Sequence, residues 1–223
     1  MADVHAEGGL GASPQVPPGA APRLRDPLDQ RLARFIVRPL VHTAITPNHL
    51  TTLRLLLGLG ACAAYGAGGN LWFVIGSLLF LLSTLMDHAD GELARLSGKS
   101  SKIGHVYDLS ADITVQVLLF IAIGIGLRDT WIGASGLPLG LLAGAAVAAL
   151  FVVCQALETR LGGKQAGLPR LGGFDTEDAL YIIAPVTWVG GLEVLLVVAA
   201  AGAPLFLVWL LWHHRRVIFV RTV

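Results

Sequence analysis

The sequence predicts an all-α integral membrane protein, with six transmembrane helices preceded by an amphipathic helix on the membrane surface. Three observations carry this. The chain is 54% hydrophobic and only 14% charged, against about 25% charged residues in an ordinary soluble domain. Apolar runs recur at roughly 50–67, 71–86, 106–127, 136–157, 179–200 and 203–220, and about 20 apolar residues cross a bilayer as a helix. None of the runs alternates apolar with polar as a barrel strand does. Backbone groups in lipid must be satisfied within the segment, so the runs are read as helices.

Taken in order, residues 1–25 are rich in Gly, Ala and Pro without the apolar core of a secretory signal, and are expected to be a disordered tail. Residues 26–45 form a juxtamembrane segment. Within it Leu28, Leu32, Phe35 and Ile36 recur at helical spacing while Arg31, Arg34 and Arg38 take another face. That pattern suits a helix lying on the membrane surface; a helix packed on the bundle is the alternative. Residues 46–223 form the membrane domain. Its second run reaches spanning length only if the helix continues past Met86 into a polar segment. The last two spans are expected to separate at Ala201-Gly202-Ala203-Pro204.

Loop charge gives an orientation. Arg23, Arg25, Arg31, Arg34 and Arg38 precede the first span, Lys99 and Lys102 follow the second, and Arg160, Lys164 and Arg170 follow the fourth. Arg215, Arg216 and Arg221 end the chain, whereas the opposite loops carry Arg128 and little else. The positive-inside rule then puts both termini in the cytoplasm, and an even number of spans agrees. The formal net charge of +1 gives no reason to expect a nucleic-acid partner. Cys62 and Cys154 lie far apart in apolar stretches and read as packing residues.

Chemistry concentrates in Met86-Asp87-His88-Ala89-Asp90-Gly91-Glu92-Leu93-Ala94-Arg95 and Gly104-His105-Val106-Tyr107-Asp108-Leu109-Ser110-Ala111-Asp112. A carboxylate at the centre of a spanning helix costs about 2.5–3.5 kcal/mol on insertion scales, so four aspartates at facing ends of two spans need compensation. At about 100° per residue, Asp87, Asp90, Gly91 and Ala94 share one face. Asp108 and Asp112 share another, with Gly104 one turn earlier. Antiparallel packing across the loop 96–103 brings the four carboxylates together. Two divalent cations neutralise them formally, and all-oxygen ligands suit Mg2+, Mn2+ or Ca2+ rather than zinc. Gly91, Ala94 and Gly104 lack bulk, so a diphosphate can approach the backbone; tight helix packing is the other use of such residues.

The string Asp87-x2-Asp90-Gly91-x2-Ala94-Arg95-x8-Gly104-x3-Asp108-x3-Asp112 resembles the signature of the CDP-alcohol phosphotransferase family, with every fixed position present. The resemblance extends upstream to Thr46-Pro47-Asn48-x2-Thr51-x2-Arg54, so it covers about the first half of the chain; the second half matches in hydropathy. It implies a six-helix membrane fold, often a homodimer, with an active site open to the cytoplasm. It implies two divalent ions, Mg2+ or Mn2+, on Asp87, Asp90, Asp108 and Asp112. Asp112 is further implied as general base on the acceptor hydroxyl, and Gly91, Ala94, Arg95 and Gly104, with Asp90, as surroundings of the CDP moiety. Ile113 and His105 depart from residues common beside the signature, which leaves the substrate open.

Other positions are weighed individually. Asn48 and Arg54, near the cytoplasmic end of the first span, are expected to face the CDP diphosphate or the aspartates, since a buried arginine needs a partner. Arg160, Lys164 and Arg170 are candidates for an anionic acceptor, although positive-inside bias alone accounts for them. Asp178 either contacts the acceptor or belongs with Asp175 and Glu177 at a helix start. His213, His214, Arg215 and Arg216 suit anchoring to anionic lipid. His88, at a variable position of the motif, reads as structural.

The leading expectation is transfer of a substituted phosphate from a CDP-linked donor to an alcohol with release of CMP, in phospholipid synthesis. The favoured version joins CDP-diacylglycerol to a small polar alcohol: inositol phosphate, glycerol phosphate or serine. The alternative joins CDP-choline or CDP-ethanolamine to a lipid alcohol. A divalent-cation transporter also explains intramembrane acids, but not Gly91, Ala94, Arg95 and Gly104 at fixed offsets.

Overall fold

The computed structural model describes residues 28–41, 43–99, 101–161 and 177–215. Among them the secondary structure is helical throughout, without strands. The helices are α1 (Leu28–Val37), α2 (Pro47–Ala67), α3 (Asn70–Ser97), α4 (Lys102–Gly126), α5 (Gly136–Leu161), α6 (Ile183–Trp188) and α7 (Leu192–His213). Five of these, α2 to α5 and α7, are long and apolar enough to cross a membrane. The tail 1–25, Lys164 and Arg170 lie outside the described residues.

Local sequence sets the ends of the two helices that carry the acidic motif. Gly98 ends α3 at φ +65°, a left-handed conformation that glycine adopts without steric cost. Ser101 starts α4, its hydroxyl accepting the Gly104 N–H at 2.9 Å, which satisfies one of the orphan donors of the first turn. The connection is therefore short and α3 and α4 run antiparallel, but they do not pack along one another as the sequence suggests: α2 lies between them, and the acids of both meet around its Arg54. As expected, α3 continues through Met86 to Ser97. At the other end of the bundle Gly68 and Gly69 turn the chain at φ +80° and +86°. There Arg128 donates to the carbonyls of Gly66 and Ala67, both at 3.2 Å, placing a cation at the negative end of α2.

The core is built from α2, α3, α4 and α5 with parts of α6 and α7. Tyr65, Leu119, Ile123, Ile183 and Leu196 are fully or almost fully buried within it. Gly124 and Gly136 bring α4 and α5 into backbone contact, the close approach that small residues permit between helices in lipid. Leu141, Val152, Leu205, Val208 and Trp212 point outward, as lipid-facing side chains do.

Two further expectations change. The break placed at Ala201–Pro204 is absent, because α7 runs through Pro204 from Leu192 to His213. The chain turns at Val189–Gly191 instead, with Gly190 at φ +73° and Gly191 N–H on the Val186 carbonyl at 2.9 Å. The turn is made of Val and Gly, so hydropathy passes over it, while a proline removes one helical hydrogen bond and does not by itself end a helix. The expected span 179–200 is accordingly two elements, the 3-10 turn Glu177–Ile182 with α6 and then the start of α7. Helix α1 forms where the amphipathic segment is expected, and it docks on α3. Ala33 and Val37 are buried with Leu50, Ala89 and Leu93. Arg34 Nε donates to Glu92 Oε1 at 2.7 Å, and Phe35 is turned out, 77% exposed.

Candidate active site

Asp87 and Asp90 project from α3, Asp108 and Asp112 from α4, and Arg54 from α2 reaches between them. Arg54 is 3% exposed. Its Nη1 donates to Asp87 Oδ1 and, at 2.6 Å, to Asp112 Oδ1. Its Nη2 donates to Asp108 Oδ1 at 2.8 Å and to the Asp108 carbonyl at 2.9 Å. Its Nε lies 3.9 Å from Asp90 Oδ2 and, among the described residues, is buried without a hydrogen-bond partner. Of the two partners expected for Arg54, the aspartates are the ones it meets here. Charged side chains in a low-dielectric interior persist only when paired, and one guanidinium bonded to three carboxylates and close to a fourth does not by itself balance them.

The geometry fits divalent cations. Carboxylate oxygens of Asp87, Asp90 and Asp108 lie within 4.8 Å of one another, and Asp112 is tied to the same group through Arg54. The donors are all hard oxygens, which suits a hard divalent cation.

Three features border the carboxylates. Gly91 is exposed, and a Cβ built on it meets nothing within 4 Å. Helix packing therefore does not account for this glycine. Gly104 is different: a Cβ there would stand 2.8 Å from Asn48 Oδ1, so its lack of a side chain brings the Asn48 amide against the start of α4. Ala94 is half-buried and the Arg95 side chain is 72% exposed, 3.8 Å from Glu92 Oε2. Asn48, Gly91, Ala94, Arg95 and Gly104 thus lie toward the ends of α2, α3 and α4 where the acids meet Arg54.

Below the carboxylates a recess of about 510 Å3, its open mouth included, runs from Arg54, Asp87 and Asp112 past Ser83, Thr84, His88 and Gln116 to Phe80, Val115 and Phe151. His88 Nδ1 lies 2.9 Å from the Thr84 carbonyl and 3.3 Å from the Tyr181 hydroxyl, in keeping with a structural part. Arg160 and Asp178 are described as backbone only, at the end of α5 and in the turn Glu177–Ile182.

Sequence reasoning assigned no role to several side chains. Thr51 donates its hydroxyl to Asp90 Oδ2 at 2.8 Å, both residues being buried. Its position three residues before Arg54, on the same face of α2, is the signal. Glu92 is buried inside the motif and pairs with Arg34; its offset from Asp87 and Asp90 around α3 points it to α1. Gln116, one turn beyond Asp112 and 7% exposed, is a polar residue in an otherwise apolar stretch.

A family profile described as CDP-alcohol phosphatidyltransferase matches residues 44–214. The chain belongs to the CDP-alcohol phosphatidyltransferase family. A bifunctional IPC transferase and DIPP synthase of Aquifex aeolicus (strain VF5) is 30% identical over 96 residues, 43% of this chain and 21% of that protein. An archaetidylinositol phosphate synthase of Pyrococcus horikoshii (strain ATCC 700860 / DSM 12428 / JCM 9974 / NBRC 100139 / OT-3) is 27% identical over 110 residues, 49% of this chain and 54% of that protein. The alignments thus span about a fifth and about half of these relatives. Family membership and the apolar helices together make this CDP-alcohol phosphatidyltransferase homologue an integral membrane protein.

Proposed function

We propose that this protein transfers a substituted phosphate from a CDP-linked donor to the hydroxyl of a small polar alcohol, releasing CMP. The observation that carries it is the convergence of Asp87, Asp90, Asp108 and Asp112 on one point, beside an open Gly91 and in front of a partly polar recess. The donor is proposed as CDP-diacylglycerol. Both relatives are named as synthases, one of archaetidylinositol phosphate, which supports inositol phosphate ahead of glycerol phosphate or serine as the acceptor.

The four aspartates would hold two divalent cations, Mg2+ or Mn2+. When bound, such ions supply charge stabilisation to the diphosphate and the departing CMP. Gly91 lets the diphosphate lie against α3, while Asn48, Ala94, Arg95 and Gly104 bound the nucleotide. Asp112 borders the recess and takes the proton of the acceptor hydroxyl as its oxygen bonds to the phosphorus distal to cytidine. The bond from that phosphorus to the CMP oxygen breaks, and CMP leaves. Arg160, Lys164, Arg170 and Asp178 are the proposed contacts of an anionic acceptor.

The proposal includes six crossings, both termini and the site on the cytoplasmic side, and a homodimer. Contacts of the 177–188 segment support the sixth crossing. Tyr181 lies beside His88 at the level of the acids, whereas Thr187 reaches Tyr65 at 3.0 Å and Trp188 reaches Ser77 at 2.9 Å, near the far end. Exposed Phe35 on docked α1 supports contact with lipid at the interface.

The test is CMP release by purified protein with Mg2+ or Mn2+, CDP-diacylglycerol and inositol phosphate, with glycerol phosphate and serine as competitors. Chelation should abolish release and added metal restore it. CMP formed only from CDP-choline or CDP-ethanolamine would favour the lipid-alcohol version; metal flux into proteoliposomes without CMP would overturn the transferase.

A further inference from the structure

We infer that Gln116 determines acceptor specificity by binding a second, uncharged hydroxyl of the alcohol, so that the acceptor is a polyol. The inference rests on the reading of Asp112 as the base for the reacting hydroxyl. On α4 the positions Gly104, Asp108, Asp112 and Gln116 follow one another every four residues, which sets them in one row along one helix face. The row starts beside Asn48, passes the two carboxylates and ends on Gln116. At 1.5 Å of rise per residue, Gln116 stands about 6 Å deeper in the bundle than Asp112. It therefore lies on the side of the carboxylates away from the proposed nucleotide contacts, and it lines the recess that Asp112 borders.

The Gln116 amide is buried and open at once. The residue is 7% exposed, yet its side chain has no hydrogen-bond partner among the described residues. The other uncharged polar side chains of the recess are engaged. The Ser83 hydroxyl donates to the Arg54 carbonyl at 2.9 Å and the Thr84 hydroxyl to the Phe80 carbonyl at 3.0 Å, while His88 meets the Thr84 carbonyl and Tyr181. A buried amide without a partner is costly, and a ligand that reaches it removes the cost. The amide offers a donor and an acceptor without charge, which matches a hydroxyl. Phe80 and Phe151 give the same recess apolar walls, as small-molecule sites have around a few orienting polar groups. The step from Asp112 to Gln116 calls for a hydroxyl remote from the reacting one. Serine has no second hydroxyl, glycerol phosphate has one only on the adjacent carbon, and the chain of a lipid alcohol leaves the amide unpaired. A cyclic polyol carries hydroxyls across its ring and meets both side chains.

The experiment measures CMP release with Mg2+, CDP-diacylglycerol and either inositol phosphate or its ring-monodeoxy analogues, for wild type and Q116L. Wild type should lose about 10–100-fold in kcat/KM on at least one analogue, because the amide is then left unpaired. In Q116L inositol phosphate should fall by a similar factor, chiefly through KM, and that analogue should react within several-fold of the parent. The KM for the donor should stay at its wild-type value. Wild type indifferent to every analogue overturns the inference. So does Q116L that keeps wild-type discrimination, or that loses equally on parent and analogue as a packing residue would. Wild type that prefers glycerol phosphate, serine or a lipid alcohol also overturns it and leaves the transferase standing. Absence of metal-dependent CMP release from every pair of donor and acceptor would overturn the transferase reading itself. Should Q116L not fold, the wild type decides alone. The side-chain amide signals of Gln116 should shift on addition of inositol phosphate and not of CMP; no shift, or a shift with CMP, overturns the inference.

Discussion

Thr51→Val isolates the hydrogen bond that anchors Asp90. The Thr51 hydroxyl has one proton and two acceptors in reach, Asp90 Oδ2 at 2.8 Å and the Pro47 carbonyl at 3.2 Å; the shorter bond goes to the charged group. Both residues are buried, at 2% and 4% exposure, so water does not replace the lost donor. Valine keeps nearly the same volume, which removes any cavity contribution. A hydrogen bond to a charged group contributes about 1.5–3 kcal/mol. At about 2–4 °C per kcal/mol for a chain of this size, the metal-free protein should melt about 3–12 °C lower at a fixed scan rate. Because the hydroxyl orients a proposed metal ligand, Mn2+ affinity should also fall about 10–100-fold. The assays are thermal unfolding in detergent with chelator and Mn2+ calorimetry, with Thr51→Ser as the control that keeps the donor. Wild-type melting and wild-type Mn2+ affinity in Thr51→Val would falsify the anchoring argument.

Further outcomes test separate parts of the molecule. Asp112→Asn should reduce CMP release about 10²–10⁴-fold while binding of the CDP donor stays within several-fold; full turnover would remove Asp112 from proton transfer. Gly91→Leu, entering open space, should leave the melting temperature within about 2 °C yet raise the KM for the donor at least about tenfold; an unchanged KM would separate Gly91 from the nucleotide. Gly126→Ala should do the reverse. Its Cβ would press on the Tyr65 carbonyl and stand 2.9 Å from Phe73 Cε1, a misfit costing about 1–3 kcal/mol or more, read as a lowered melting temperature without a specific effect on KM. Arg34→Met leaves Glu92, with its side chain 7% exposed, without its 2.7 Å donor. Hydrogen exchange over residues 28–37 should accelerate, and Glu92→Gln in the same protein should slow it again; equal exchange in all three proteins would show that the pair does not hold α1.

The acidic site was largely legible from the sequence because its order is local. Asp87 with Asp90 and Asp108 with Asp112 are one helical turn apart, and the glycine and serine punctuation at 98–101 returns α4 antiparallel to α3, although α2, and not direct packing of α3 on α4, joins the two pairs. Helical geometry and the cost of burying charge then predict that the acids meet and need cations. Spanning length was legible for α2 to α5 for the same reason, since hydrophobicity over a turnless stretch is a property of the chain itself. The turn at Val189–Gly191 was not, being as apolar as the helices around it, so only its backbone conformation distinguishes it.

What only the tertiary structure decided are the contacts between residues distant in sequence. Arg54 lies 33 residues before Asp87 and 58 before Asp112, and its choice of carboxylates depends on how α2 seats between α3 and α4. The dependence of Asp90 on Thr51, the pairing of Arg34 with Glu92, and the open space at Gly91 against the crowding at Gly104 arise in the same way. Periodicity fixes which face of a helix a residue occupies; the packing of its neighbours fixes what that face meets.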